Sequence, residues 1–243
     1  MENMHAKLWM LNEKKMNNMK NILIIAPHPD DEILGCGATM AKLVKQGHSV
    51  YVLVATNASV GAPELFGPEI VRQARSEALE AHKILGVKET TFLEFPAPVL
   101  DQYARYKMSN EISAVIKKYG INIVYLPHRG DCHIDHKIIH ECAMVACRPL
   151  ANSTVEAVYA YETLSETEWG ESVASEVFVP TRFVTFSETE FEIKLKAMAC
   201  FKSQLYQFPA SRSLEAIEAL AKYRGATVSR MRAECFEVLR EIE

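Results

Sequence analysis

The chain has 243 residues, with 27 Lys and Arg against 31 Asp and Glu, which gives a formal net charge of −4. This slightly acidic balance argues against a general nucleic-acid-binding protein, because affinity for phosphate backbones needs an excess of basic residues. The sequence also lacks a run of 18 or more apolar residues, so no membrane-spanning helix is predicted.

Six cysteines are spread along the chain without the CxxC spacing of a metal or redox motif. The first 20 residues hold no apolar segment long enough for a signal peptide. We therefore expect reduced thiols in a cytoplasmic protein. Residues 1–19 are interpreted as a poorly ordered N-terminal extension, and residues 20–243 as a single domain.

The first half of the chain alternates between predicted strands and predicted helices. Runs rich in β-branched residues predict buried strands over residues 21–26, 49–55, 90–95 and 121–126. Apolar residues at helical spacing predict helices over residues 31–46, about 69–85 and 109–119. A polar loop is predicted over residues 56–68. This alternation indicates a parallel sheet covered by helices on both faces.

The C-terminal third departs from this pattern. Two strands are predicted there, over residues 156–161 and 181–186. A helix with a capping box at Ser187 follows and runs to about residue 202, and another helix begins near Ser213. The predicted fold class is therefore α/β, a Rossmann-like three-layer sandwich with a mostly parallel sheet and a C-terminal elaboration of strands and helices.

Two segments carry many ionisable side chains, and each directly follows a predicted strand. The first strand leads into PHPDDE (residues 27–32) and the fourth into PHRGDCHIDH (residues 127–136). Because ligands of open α/β sheets bind outside the carboxyl ends of the strands, we expect both segments at one rim of the sheet. Their crowded acids need a counter-charge, which a divalent cation supplies. Mixed imidazole and carboxylate ligands suit Zn²⁺ or another first-row metal such as Fe²⁺ or Co²⁺.

The spacing within the first segment predicts different roles for its side chains. His28 and Asp31 are three residues apart and can converge on one ion from a single turn. Asp30 is then free to accept a proton from the attacking water. The competing interpretation is that Asp30 and Asp31 are ordinary acids at a helix N-terminus, favoured there by the helix dipole. The nearby His28 and the second His/Asp cluster favour the metal site.

The second segment leaves two assignments open. His133 and His136 are also three residues apart, so one can bind the metal while the other faces the substrate. Asp135 is placed to orient an imidazole. His128 is interpreted as a loop residue, and His140, one helical turn beyond His136, is a weaker candidate contact.

The first segment and the LGCG that follows it (residues 34–37) resemble the opening motif of the PIG-L (LmbE-like) de-N-acetylase family. HIDH at residues 133–136 is similar to that family's HPDH segment, with Ile134 in place of proline. The similarity continues through RSEALEAHKILG (residues 75–86) and KLKAMACFKSQ (residues 194–204), and shorter C-terminal segments extend it over nearly the whole chain.

The resemblance implies a zinc-dependent hydrolase, with one ion per chain, that removes the acetyl group from an N-acetylglucosamine-type sugar or its conjugate and releases acetate. The implied site residues are the zinc ligands His28, Asp31 and His136, the general base Asp30, His133, which polarises the carbonyl or protonates the leaving amine, and Asp135, which tunes His133. Relatives are commonly trimers or hexamers, so the resemblance also implies a homo-oligomer.

Four further residues are predicted to contact the substrate. Arg75 is a candidate for binding a hydroxyl or a carboxylate, with an ion pair to a nearby Glu as the alternative. Asp101 stands a few residues beyond the position of the family's usual loop Asp, where this chain reads Ala97. Asp131 is expected to line the pocket, and Asn57 follows the second strand to the same rim.

Two rival functions stay open. One is a metal-dependent amidase that cleaves a larger acyl group or a thiol-sugar conjugate. The other is a non-catalytic metal- or nucleotide-binding α/β protein. Against nucleotide binding, the first strand-to-helix turn carries acids in place of a glycine-rich phosphate loop. A non-catalytic metal site is disfavoured because it would not need Asp30 and His133, which are not among its ligands.

Overall fold

A mixed seven-stranded sheet is the framework of the computed structural model, which describes residues 19–242. Its strands are β1 (Asn21–Ala26), β2 (Ser49–Asn57), β3 (Glu89–Pro96), β4 (Ile123–Pro127), β5 (Ala157–Tyr161), β6 (Arg182–Thr185) and β7 (Ala233–Glu241). They lie in the order β3-β2-β1-β4-β5-β7-β6. The first five of these are parallel, and β7 runs antiparallel to β5 and β6. The N-terminal extension predicted for residues 1–19 lies outside the described residues except for Met19.

Seven α-helices accompany the sheet within residues 19–242. They are α1 (Asp31–Lys45), α2 (Ala58–Gly61), α3 (Pro68–Leu85), α4 (Arg105–Tyr119), α5 (Ile134–Ala146), α6 (Glu188–Met198) and α7 (Leu214–Ala226). In this part of the chain no helix combines the length and the apolar character needed to cross a bilayer.

Alternate residues of β1 enter two separate hydrophobic cores. Ile22 and Ile24 pack in a core shared with residues of α1, α3 and α6, on one face of the sheet. Leu23 and Ile25 pack in a core shared with residues of α4 and α5, on the other face. All four side chains are fully buried. The predicted three-layer α/β fold is therefore confirmed.

Helix ends follow local sequence signals. α3 begins with Pro68, whose missing N–H would be unpaired at that position anyway, and it ends at Gly86, where φ is 77°. α6 begins with a capping box, in which Ser187 and Glu190 satisfy each other's backbone N–H groups. These signals explain why the predicted boundaries agree closely with the structure there.

Other boundaries differ from the predictions. The predicted loop over residues 56–68 contains the end of β2 and the short α2, α4 begins at Arg105 rather than at residue 109, and α6 ends at Met198. β7 was not predicted, because charged residues interrupt its apolar pattern. Its Glu234 is nevertheless buried, since it pairs with Lys194 at 2.6 Å and accepts two backbone N–H groups of α1.

The topology brings the two ionisable segments together. β1 lies in the middle of the sheet between β2 and β4, and it pairs in parallel with both. The strand order changes direction there, which is where open α/β sheets form their ligand crevice. The segments that follow β1 and β4 therefore emerge side by side at one rim.

Candidate metal centre and active site

The turn after β1 holds its acidic side chains in a fixed arrangement. The backbone N–H of His28 donates to Asp31 Oδ2 at 2.9 Å, and Asp31 is the first residue of α1. Asp30 precedes the helix with φ 112° and ψ −28°, in the left-handed region that favours glycine. In this conformation the adjacent carboxylates meet different partners, Asp31 meeting His136 and Asp30 meeting Arg212.

The segment after β4 ends in the first turn of α5. His133 caps this helix, because its Nδ1 accepts the backbone N–H of Asp135 at 3.1 Å. Since Nδ1 accepts a hydrogen bond, the neutral ring carries its proton on Nε2. His136 lies within the helix, one turn along, and its Nε2 is 3.2 Å from Asp31 Oδ2.

His28, Asp31 and His136, the predicted metal ligands, each bring one ligand atom within 4.8 Å of the other two. His28 Nδ1 lies 3.4 Å from the same Asp31 Oδ2 that faces His136. Asp31 and His136 are completely buried, whereas about a quarter of the His28 side chain is exposed. The fold thus gathers these three side chains from two strand ends.

Unsatisfied buried atoms indicate that this trio fits a cation. Asp31 Oδ1 and His136 Nε2 are both buried, and neither has a hydrogen-bond partner. A buried polar atom without a partner costs about 1–3 kcal/mol, and coordination to a metal ion satisfies both atoms. Two imidazoles and one carboxylate suit a first-row divalent metal, and three protein ligands leave a position open for catalysis.

The electrostatics of the trio favour positive charge. Burial raises the pKa of Asp31, but His136 and His28 outweigh it and hold that pKa well below its usual range. Burial lowers the pKa of His136, whereas Asp31 and Asp131 raise it well above 6.5. Burial also lowers the pKa of His28, yet hydrogen bonds to Asp135 and Asp31 bring it to about 9. This environment is the one that a bound cation requires.

Asp131 supports the centre from behind His136. Its Oδ2 lies 2.8 Å from His136 Nδ1, and its Oδ1 accepts a hydrogen bond from Thr167 Oγ1 at 2.6 Å. Asp131 is completely buried and does not line the substrate cavity. The structure therefore gives it a different contact from the substrate contact predicted from the sequence. This contact fixes the ring of His136 with Nε2 facing Asp31.

Asp135 lies between two imidazoles. Its Oδ2 is 3.1 Å from His28 Nε2 and 3.8 Å from His133 Nδ1. His28, His133 and Asp135 form a second group whose ligand atoms are close enough to hold a metal. Both groups include His28, whose Nδ1 faces Asp31 and whose Nε2 faces Asp135. The side chain of Asp135 forms its hydrogen bond with His28, and the backbone N–H of Asp135 donates to His133, the imidazole that it is predicted to tune.

A cavity of about 320 Å³ opens beside the metal ligands, within the range of small-molecule sites. Its polar lining includes His28, Asp30, His133, Glu166, Gln204 and Arg212. Its apolar lining includes Phe66, Ile70, Val71, Ala74, Ala97 and Pro98. The cavity is therefore suited to a ligand with both hydroxyl-rich and apolar parts.

Asp30 presents a buried carboxylate to this cavity. Its Oδ2 accepts a hydrogen bond from Arg212 Nη1 at 3.2 Å. Burial raises the pKa of Asp30 well above its usual range, and the charge of Arg212 opposes part of that rise. Arg212 is itself fixed by Ser165 Oγ, 2.6 Å from its Nε, and by Gln204 Oε1, 3.0 Å from its Nη1. Hydrogen bonds through Arg212 to Ser165 and Gln204 therefore hold the carboxylate of Asp30 in place.

Sequence reasoning did not select Glu166, Gln204 or Arg212 as site residues. They belong to loops that follow β5 and α6, far along the chain from the first two segments. Arg212 Nη2 also lies 3.6 Å from Glu166 Oε1, so these loops meet at the cavity. The signal available in the sequence was the family resemblance, which runs through Gln204 and again from Arg212 to Leu220.

Of the three remaining predicted substrate contacts, the structure places one in the cavity lining and two outside it. Arg75 lines the cavity, but its guanidinium pairs with Glu94 at 2.8 Å, which agrees with the ion-pair alternative. Asn57 accepts the backbone N–H of Ser59 and caps α2, outside the cavity lining. Asp101 is exposed in a 3₁₀ turn and also lies outside the lining.

His128 and His140 have structural contacts. His128 Nε2 donates to the Glu176 carbonyl at 2.8 Å, and its Nδ1 lies 2.8 Å from Glu237 Oε2. His140 Nδ1 donates to the Pro127 carbonyl at 2.9 Å. Neither belongs to the two groups that could hold a metal ion.

Comparisons with known proteins find similar deacetylases. The family model described as "PIG-L: GlcNAc-PI de-N-acetylase" matches residues 23–147, which include both segments of the metal centre. A protein of Escherichia coli (strain K12) named "Uncharacterized deacetylase YaiS" is 33% identical over 195 residues, which are 77% of this chain and 93% of that protein. The diacetylchitobiose deacetylase of Thermococcus kodakarensis is 37% identical over 128 residues, 50% of this chain and 46% of that protein.

A solved structure shares the fold. The N,N'-diacetylchitobiose deacetylase from Pyrococcus horikoshii matches with a TM-score of 0.73, covering 93% of this chain and 86% of that chain. Its sequence identity is 22%, so this likeness supports the fold alone. The family match includes His28, Asp31 and His136, and the Escherichia coli relative extends the similarity over most of both chains. The predicted deacetylase class is confirmed by these relatives, and the chain belongs to the PIG-L family of de-N-acetylases.

Proposed function

We propose that this protein removes the acetyl group from an N-acetylated amino sugar of the N-acetylglucosamine type, free or conjugated, and releases acetate. The observation that carries the proposal is that Asp30 and His133 line one cavity directly beside His28, Asp31 and His136. The relative named as a diacetylchitobiose deacetylase supports the sugar class.

The proposed metal is Zn²⁺, one per chain, with His28, Asp31 and His136 as its ligands. The unsatisfied Asp31 Oδ1 and His136 Nε2 support this assignment, as does the pairing of two imidazoles with one carboxylate. When bound, zinc supplies a Lewis acid for the carbonyl and lowers the pKa of water to about 7.

Asp30 is the proposed proton acceptor for the attacking water. It lies next to the ligand Asp31 in sequence, yet its carboxylate faces the cavity and Arg212. Burial raises the pKa of Asp30 above its usual range, which strengthens it as a base. The guanidinium of Arg212 favours the ionised form and opposes part of that rise.

His133 is the proposed donor to the substrate. Its Nδ1 accepts a backbone N–H, which leaves the Nε2 proton for the cavity that the ring lines. Burial and the nearby His28 lower the pKa of His133, so the ring is neutral near pH 7. A neutral imidazole in this position polarises the acetamide carbonyl by a hydrogen bond, and the proton that Asp30 takes from the attacking water is the one to be passed to the departing amine.

One observation favours the alternative of a larger acyl group. Phe66, Ile70 and Val71 give the cavity an apolar lining, and its volume of about 320 Å³ is far larger than one methyl group. Glucosamines carrying N-acetyl, N-butanoyl and N-octanoyl groups separate the two possibilities. A rate that falls with acyl length supports the acetyl specialist, and a rate that rises with acyl length supports the amidase.

Acetate release from N-acetylglucosamine and its conjugates tests the proposed reaction. Zinc-loaded protein is expected to release acetate, and a chelator is expected to stop the release until Zn²⁺ is restored. Zinc bound at one ion per chain without acetate release from any conjugate would refute sugar deacetylation.

Two variants test the residue roles separately. Asp30→Asn is expected to retain zinc and to lose roughly 10²–10⁴-fold in turnover, whereas His136→Ala is expected to lose zinc itself. Asp101→Asn is the matched control, because it makes the same chemical change at an exposed position outside the cavity. Wild-type turnover in Asp30→Asn would contradict the general-base assignment.

A cytoplasmic location and a homo-oligomer of three or six chains are also part of the proposal. Six free cysteines, all within the described residues, support a reducing compartment. Light scattering of the purified chain measures the oligomeric state directly.

A further inference from the structure

We propose a second ring-binding site, formed around Trp169 and Tyr206 and called here the aromatic subsite. Its occupant would be a second pyranose ring linked to the acetylated sugar. The inference rests on the proposed function, because it concerns the part of the substrate beyond the acetamide. The aromatic subsite is a cavity of about 380 Å³, within the range of small-molecule sites.

The aromatic subsite adjoins the catalytic cavity. Glu166 and Arg212 line both cavities. Arg212 Nη1 also lies 3.2 Å from the carboxylate of Asp30. A sugar whose acetamide lies beside Asp30 would therefore lie close to the side chains that the two cavities share. A ring linked to that sugar would reach the second cavity.

The lining of the aromatic subsite matches the chemistry of a pyranose. Trp169 and Tyr206 line this one cavity, and each exposes 61% of its surface, so both rings are accessible to a ligand. A pyranose has an apolar face of C–H groups that packs on an aromatic ring, and hydroxyls at its rim. Arg212, Glu166 and Ser211 of the same lining provide donors and acceptors for those hydroxyls.

The two walls of the aromatic subsite are tied together. Trp169 belongs to the loop after β5, and Tyr206 to the loop after α6. Arg212 Nε donates to Ser165 Oγ at 2.6 Å, which links these loops. A second link joins Ser211 Oγ to Glu168 Oε1 at 2.6 Å. Within its own loop, the Tyr206 N–H donates to the Arg212 carbonyl at 2.8 Å. The subsite is therefore preorganised, which lowers the entropic cost of binding.

Acetate release from two sugars tests the aromatic subsite by kinetics. We expect kcat/KM to be about tenfold higher for N,N'-diacetylchitobiose than for N-acetylglucosamine, more than the twofold that a second acetyl group alone gives. Trp169→Ala and Tyr206→Ala are expected to lower this ratio toward two. Tyr106→Ala is the matched control, because Tyr106 is 66% exposed on α4 and lines neither cavity. A wild-type ratio of two or less, or a ratio that both subsite variants leave unchanged, overturns the proposal.

Tryptophan fluorescence tests the same site without turnover. The chain has two tryptophans, so Trp9→Phe leaves Trp169 as its sole tryptophan. Before measurable acetate release, the disaccharide is expected to change Trp169 emission saturably, at about tenfold lower concentration than the monosaccharide. Equal concentrations for both sugars, or no response to either, overturns the subsite. A response to the disaccharide without acetate release from any sugar supports the subsite and refutes the proposed function.

Discussion

Replacing Asp131 by Asn tests whether the contact behind His136 sets metal affinity. Asp131 Oδ2 lies 2.8 Å from His136 Nδ1, and both side chains are completely buried. Asparagine preserves the size of the side chain and an oxygen that can accept from Nδ1–H. It removes the negative charge that makes Nε2 a better ligand. Loss of such support costs about 10–100-fold in metal affinity, or about 1.4–2.7 kcal/mol.

The pH dependence of metal affinity gives a second test of this prediction. In the metal-free protein Asp131 is one of the groups that raise the pKa of His136, so a proton competes with the metal for Nε2. Asp131→Asn lowers that pKa and weakens the competition. The difference in metal affinity between wild type and variant is therefore expected to shrink as the pH falls.

Competition with a chromogenic chelator measures the Zn²⁺ affinity of wild type and Asp131→Asn from weakly acidic to weakly basic pH. Asp101→Asn makes the same change at an exposed residue and is expected to bind zinc like wild type. If Asp131→Asn stays within twofold of wild type at neutral pH, the supporting role of Asp131 is refuted.

Three further predictions concern stability. In the metal-free protein the pKa of His28 rises from 6.5 to about 9 on folding. Its protonation therefore stabilises the folded state by about 2–3 kcal/mol after allowance for partial exposure, fully below pH 6.5 and no longer once the pH passes 9. Thermal melts with a chelator across this pH range measure the loss. Lys194→Met leaves the buried Glu234 without its cation and is expected to cost about 3–5 kcal/mol in urea unfolding, part of which Glu234→Gln restores in the double variant. Gly130→Ala would place a Cβ 1.8 Å from the Glu176 carbonyl oxygen, so a clear fall in melting temperature is expected, and an unchanged melt would contradict the close packing of that loop.

The parallel strands could be predicted because the apolar residues that their buried environment requires are visible in the local sequence. β1 is buried on both faces, so it is a continuous apolar run, and its predicted bounds agree with the structure at residues 21–26. β7 could not be predicted in this way. Its Glu234 is buried because Lys194, 40 residues earlier in the chain, supplies the opposite charge. No local pattern contains that information.

In the candidate site, too, residues in short local segments could be predicted and residues from distant loops could not. The proximity of His28, Asp31 and His136 could be predicted because they lie in two short segments at strand ends, and sheet topology alone brings those ends together. Arg212 could not be derived from spacing, since it meets Asp30 across 182 residues of chain through loops of the C-terminal elaboration. The role predicted for Asp131 changed for a geometric reason: its side chain lies behind His136 and faces away from the cavity.

Asp30 holds a backbone conformation, with φ 112°, that glycine adopts without strain. For any other residue such a conformation costs about 1–3 kcal/mol, and here the residue also carries a buried carboxylate. Glycine at this position would relieve both penalties and remove the proton acceptor. Selection of a variant library for heat resistance alone would therefore enrich inactive molecules, and a screen for robust variants of this protein has to read turnover together with melting temperature.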